Sequence, residues 1–249
     1  MLHGGSRHEL DLLSEFAAIR RPASSLFDWV RLWWFKQSRD LLESQDAARR
    51  HRLLALFADR GTWHVPTLIT LRDFAHFDVL PHADDPRRRW VSPDWYAFFA
   101  EFATDFERTV TADERRHARA AYALQLRVVN EMHQAGVGLL SGTDGAPSRP
   151  PGLGVHEELA LFVEAGLSTM DALRTATTNP AAALGLDRAG RVETGAIADL
   201  VVLDADPIAD IRNTERVHAV IANGRLLDAA AIEGLVGQQR AAAASAWAG

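Results

Sequence analysis

The chain has 249 residues, 47% of them hydrophobic, which supports a sizeable core in one large domain or one and a half smaller ones and excludes a disordered chain. A net charge of −6 and a pI near 5.9 argue against a polyanion-binding role, which the short basic run Arg87-Arg88-Arg89 does not reverse. The absence of cysteine excludes disulfides, thiolate metal ligands and a cysteine nucleophile, and fits a reducing compartment.

In chain order, no secretory signal is visible at Met1-Leu2-His3-Gly4-Gly5, and a cytoplasmic protein is expected. Residues 8–21 and 24–60 are predicted helices, with Pro22 between them and Gly61 as the residue that ends the second. Within them, Leu26 to Phe35 is too short and too interrupted by Asp28 and Arg31 to span a bilayer. It reads as a helix buried against protein, with a membrane-surface helix as the alternative. Trp63–Ile69 is predicted to be a strand that tolerates Pro66 only where its missing N–H is not needed. Residues 71–95 read as a long irregular loop.

Tyr96 to Gln134 is helical in two pieces, the second capped by Thr111 with Glu114 completing a capping box. Val137–Thr143 is a buried-strand pattern ending at Asp144, and a Gly/Pro-rich loop, Gly145 to Gly154, follows. His156–Ala165 is a helix closed by Gly166, Ser168 caps Thr169–Thr178, and Asn179-Pro180 starts a short helix Ala181–Leu184. This helix–strand–loop–helix order is the local grammar of a (β/α) barrel. Beyond Gly190, Gly195–Asp204 is a turn and a strand, and Val217–Ala222 and Arg225–Leu227 flank an Asn223-Gly224 type I′ hairpin signal. The Ala-rich end, Ala229 to Gly249, reads as a fraying helix. The expected organisation is a helical segment 1–60, a barrel-like part 61–190, a small β unit 191–228 and a tail 229–249.

An acid at the C-terminal mouth of a strand stands where barrel and open α/β folds place ligands and metals. Asp144 therefore reads either as a metal ligand and general base or as an acid capping the Asp-Gly turn. His156 opens the next helix and either contacts substrate or caps that helix. His64, in an apolar strand, is a core or mouth-lining histidine or a substrate contact. Asp73, His76 and His82 fall in the long loop, where a solvated role competes with gating a pocket, and His3 and His8 flank a flexible Gly-rich start. Glu157 and Glu158 suit the N-terminal end of a helix electrostatically, and Asp199 reads as the pin of a β-turn. No phosphate loop, nucleotide fingerprint or serine elbow is present.

Three features together resemble the C-terminal part of the amidohydrolase superfamily, in its imidazolonepropionase-like and prolidase-like branch. They are Ser141-Gly142-Thr143-Asp144, the run from His156 through Gly166 to Ala172–Gly185, and Gly195–Pro207. The resemblance runs from about Asp59 to Asp228. It implies an α/β protein: the C-terminal part of a metal-dependent hydrolase TIM (β/α) barrel with part of a small flanking β-sandwich. Trp63–Ile69 is similar to the seventh barrel strand, and Asp144 matches the Asp that ends the eighth. The implied chemistry is hydrolysis of amide, cyclic amide or peptide-like C–N bonds with one or two divalent metal ions, usually zinc. The implied partner is a small-molecule substrate, with neither nucleic acid nor membrane, and with an oligomer or a missing N-terminal half as the further possibilities. The family's His-x-His pair, carboxylated Lys and two further histidines have no counterparts in these residues. The expectation is therefore a chain that starts beyond the sixth strand and is weak or inactive alone, with a non-catalytic scaffold or one half of a split enzyme as alternatives.

Overall fold

A computed structural model describes residues 3–18, 34–35, 37–77, 80, 89–145, 149–150 and 152–248. His82, Arg87, Arg88 and most of Leu26–Phe35 lie outside the described residues. The first half is helical: α1 (Glu9–Ala18), α2 (Gln37–Glu43) and α3 (Ala47–Asp59) precede the two-residue strand β1 (Trp63–His64). The long helix expected over 24–60 is broken, because Asp46 turns extended and its side chain accepts the Arg49 N–H to start α3 afresh. The start of the chain is pinned at that break, where Arg7 N–H bonds Ser44 O and Asp46 N–H bonds Gly5 O, both at 2.8 Å.

After β1 come α4 (Leu68–Ala75), α5 (Pro93–Thr109), α6 (Ala112–Gln134) and the strand β2 (Gly138–Leu139). The capping box of Thr111 and Glu114 is present at the head of α6. Two expected strands are shorter than their apolar runs. Trp63–Ile69 stops at His64 because Pro66 has no N–H to give and Thr67 adopts a left-handed φ of 49°, after which the chain coils into α4. The residues from 68 to 75 and from 93 to 95 are thus helical and not part of a loop. Val137–Thr143 stops at Leu139. Leu140 N–H still bonds His64 O at 2.9 Å, but Ser141 N–H leaves the ladder for Thr175 O at 2.8 Å.

β1 and β2 pair in parallel, Trp63 opposite Gly138 and His64 opposite Leu139. The Trp63 ring occupies the space a Gly138 side chain would need, and Val65 occupies that of Gly142, where a Cβ would lie 2.4 and 2.5 Å from the nearest atom. Among the described residues the two strands remain a pair and no closed barrel forms.

Helix α6 is the centre of the core. Ala118, Ala121, Tyr122, Gln125, Val128, Val129 and Met132 recur at helical spacing on its buried face, against α2, α4 and α7 (Gly154–Ala165). An aromatic cluster closes the core beside it, with Phe106 of α5 at ring distances of 5.1 Å from Phe35 and 5.0 Å from Phe102. Arg50 of α3 forks onto Glu131 of α6 at 2.6 and 3.0 Å, tying the N-terminal helices to this core.

Helix α7 ends at Gly166, whose φ of 112° permits the turn into α8 (Thr169–Thr175), which Ser168 caps. α9 (Thr178–Ala183) starts earlier than the expected Ala181, with Pro180 in its first turn, where no N–H is required. The last part is an antiparallel sheet, β3 (Leu200–Leu203), β4 (Val217–Ala222) and β5 (Arg225–Leu227), in that order. Asn223 and Gly224 carry φ of 49° and 76°, as a type I′ turn demands, and Asp199 accepts the Asn223 N–H at 2.5 Å. Helix α10 (Ala229–Ala248) closes the chain against β4, β5 and α5. No helix among the described residues is long and apolar enough to cross a membrane.

Candidate active site at the strand ends

The C-terminal ends of β1 and β2 open the same way, and side chains from two helices with a backbone carbonyl from a third fix the backbone there. Asn179 of α9 donates to Leu139 O at 2.9 Å. Thr70 of α4 donates to Thr143 O at 2.7 Å. With the bond from Ser141 N–H to Thr175 O, the segment that ends in Asp144 is held from both sides. Asp144 itself is exposed, with a left-handed φ of 48°, and its carboxylate has no partner among the described residues. Beside it lies a cavity of about 290 Å³ lined by Trp95, Thr143, Gly145, Arg149 and Gly154, among others.

Glu158, read from sequence as one of two acids decorating a helix start, is fully buried and takes a structural part at this mouth. Its two oxygens accept the N–H groups of Leu68 and Ile69 at 2.9 and 2.8 Å, which are orphan donors at the start of α4. Burial pushes its carboxyl pKa up to about 7, against the opposing pull of those two bonds and of Arg72. The sequence did hold a signal. Glu158 lies three, four and seven residues before Leu161, Phe162 and Ala165, on the buried stripe of α7.

Glu157 faces the other way, taking Arg72 and Arg149, each at 2.6 Å. Burial alone would raise its carboxyl, but the hydrogen bonds from Arg149 and Arg72 outweigh it and hold the pKa below the ordinary carboxylate value. Asp73 is not a solvated loop residue: it is completely buried in α4, 3.2 Å from Arg72. His76 meets Tyr122 edge-on, with ring centres 5.8 Å apart.

The two candidate histidines sit back from the cavity, which neither lines among the described residues. His64 is half-buried in β1, and burial lowers its pKa to about 4, so it is neutral at physiological pH. His156 places Nδ1 3.1 Å from Thr214 Oγ1, and that hydroxyl donates its own proton to Ile211 O at 2.8 Å. The hydroxyl therefore accepts from Nδ1, and Nε2 has no partner among the described residues. Among the described residues no group of three or more His, Asp or Glu side chains is arranged to hold a metal ion.

Fold and strand-end geometry together describe an α/β, mostly helical protein with an acid at the mouth of a parallel strand pair, and known proteins share parts of it. Residues 109–227 match the Amidohydrolase family, a span that includes Asp144, Glu158 and His156 but not His64. The resemblance to the amidohydrolase superfamily, and to its prolidase-like members, is thereby borne out. Among solved structures, a Xaa-Pro dipeptidase with bound methionine in its active site is 26% identical at a TM-score of 0.51, over 74% of this chain and 38% of that one. Bottromycin amidohydrolase is 21% identical at a TM-score of 0.62, over 96% of this chain and 57% of that one. Ochratoxinase from A. niger is 21% identical at 0.51, over 74% of this chain and 35% of that one. The last two likenesses show the fold. This chain thus spans between about a third and three fifths of the length of these structures. No curated protein matches it.

Proposed function

We propose that the chain is part of a hydrolase acting on amide, cyclic amide or peptide-like C–N bonds, with Asp144 as the acid that accepts a proton from the attacking water. In this reading β1 and β2 belong to a TIM-barrel fragment and β3 to β5 to a flanking sandwich. The observation that supports it is an unpartnered carboxylate at the mouth of a parallel strand pair, within the family-matched span and next to a cavity. The cavity wall combines Trp95 with Arg149, a surface suited to a small peptide-like molecule bearing an apolar side chain. His156 keeps Nε2 open to a contact with such a substrate, whereas His64 offers a neutral, half-buried ring.

The family's reaction uses divalent metal, usually zinc, and the described residues do not fit one. A hydrolytic zinc site needs three protein ligands, and Asp144 supplies a single carboxylate with no histidine cluster around it. The chain alone is accordingly weak or inactive, and the remaining groups come from polypeptide outside this sequence. The same observation favours, as second reading, a non-catalytic scaffold. Zinc analysis of the purified chain, with Xaa-Pro dipeptides offered as substrates, tests both. The expected result is less than one zinc per chain and no turnover. Turnover that appears on adding a polypeptide with the His-x-His half of a barrel, and vanishes in Asp144→Asn, supports the hydrolase. No turnover in that mixture leaves the scaffold. One tightly held zinc that Asp144→Ala releases would overturn the claim that the chain lacks a working site.

A further inference from the structure

A second cavity, of about 370 Å³, lies far along the chain from the strand ends, between α10 and the segment that leads into α5. That volume is within the range of small-molecule sites. Arg240, Ala244 and Trp247 project from one face of α10 at a spacing of four and three residues, and Arg89 faces them from the other wall. The cleft is firmly built on one side. Trp247 donates its indole N–H to Val91 O at 3.1 Å and meets Tyr96 edge-on at 5.6 Å, while Gln239 donates to Trp90 O at 3.3 Å.

Among the described residues its charge is unbalanced. The guanidinium carbons of Arg240 and Arg89 lie 4.5 and 5.3 Å from the centre of the same Trp90 ring. The indole attracts each of them, but it also brings two like charges together. Arg89 has no carboxylate partner among the described residues, and Arg240 has one long contact, 3.6 Å to exposed Glu233. In a protein whose net charge is −6, this places a small positive cleft with an apolar Ala244–Trp247 wall beneath two guanidinium forks.

We propose that this cleft binds a small amphipathic anion, an aryl or alkyl carboxylate, with the carboxylate between Arg89 and Arg240 and the hydrocarbon against Trp247 and Ala244. Arginine is suited to hold a carboxylate through paired hydrogen bonds, and a bound anion relieves the repulsion between the two forks. The proposal does not depend on the hydrolase reading, since none of its residues lies at the strand ends.

Titrating the full chain with benzoate, followed by tryptophan fluorescence and calorimetry, tests it. Saturable 1:1 binding is expected, weakened about tenfold or more by either Arg240→Gln or Arg89→Gln, as the loss of a charge-assisted pair implies. Neutral benzamide is expected to bind at least tenfold more weakly. Both Arg89 and Arg240 are exposed, so neither variant removes a core contact, and unchanged circular dichroism verifies the fold. No saturable binding, equal binding of benzamide, or insensitivity to both glutamine variants would overturn the proposal. Inorganic phosphate binding as tightly as benzoate would overturn its apolar half.

Discussion

The helical core around α6 and the β3–β5 sheet treat the same kind of side chain in opposite ways. In the core, Phe106 and Phe162 are 0% exposed, and the strand-end backbone is bonded to side chains from three helices. In the sheet, the neighbours Val201 and Val202 are 57% and 43% exposed, and Leu226 is 62% exposed. Adjacent strand residues point to opposite faces, so β3 leaves apolar surface open on both. Its outer edge, which carries no charge, is unpaired among the described residues as well. Stability in this molecule therefore resides in the helical core that carries the strand ends, while the sheet has surface in excess of what its own chain covers.

The largest expected contrast is in truncation. Phe162→Ala should cost about 3–5 kcal/mol, because it empties a closed site in α7. Leu226→Ala should stay within about 0.5 kcal/mol. Urea midpoints of the two variants measure the difference, and a large loss for Leu226→Ala would mean that the sheet is covered in solution.

Next in size is a pH effect confined to the strand-end region. Glu158 has an ordinary value of 4.5 and a folded value of about 7, so between them the folded protein holds a proton that the unfolded chain releases. Its contribution is complete below 4.5 and is lost as pH rises through 7, on the order of 3 kcal/mol. His64 runs the other way, from 6.5 to about 4, and its contribution is lost as pH falls through that window. The two slopes oppose each other from pH 4.5 to 6.5, giving a plateau in melting temperature and a decline from there to about 7. In Glu158→Gln the decline should vanish. If it persists unchanged, another group is responsible.

The smallest effect is Thr70→Val. It keeps the shape but strands the Thr143 carbonyl, at about 1 kcal/mol. Faster amide exchange at residues 142–145, with none at β4, would show that the hydroxyl holds the Asp144 segment. Equal exchange in Thr70→Val and the unchanged protein would assign that role to the Thr175 and Asn179 bonds.

Much of this arrangement was legible in the residues. The capping box at Thr111, the Asn223-Gly224 hairpin and the Asp199 pin follow local chemistry, and local chemistry survives folding. The strand lengths were not legible: apolar runs at 63–69 and 137–143 look alike whether a ladder continues or a helix begins. Pro66 marks where the first ends, but the turn into α4 is held by Glu158, some ninety residues away, capturing the N–H groups of Leu68 and Ile69, and no local pattern announces a partner at that distance. Asp144 stood out because an acid that closes a buried-strand pattern has few reasons to be there. The absence of a His-x-His pair was legible too, being a property of the sequence itself. The Arg89–Arg240 cleft was not, because its two halves meet only through the docking of α10.

Gly138 of β2 and Gly142 just beyond it have a bearing on Asp144 that reaches further than their own positions. Gly138 and Gly142 leave room for Trp63 and Val65, while Val137, Leu139, Ser141 and Thr143 between and beside them do not. If β2 slid by one residue along β1, a side chain would have to enter the space the indole fills. The alignment of the two strands is thus a lock keyed by absent atoms, and Asp144, two residues past the second notch, inherits its address from them.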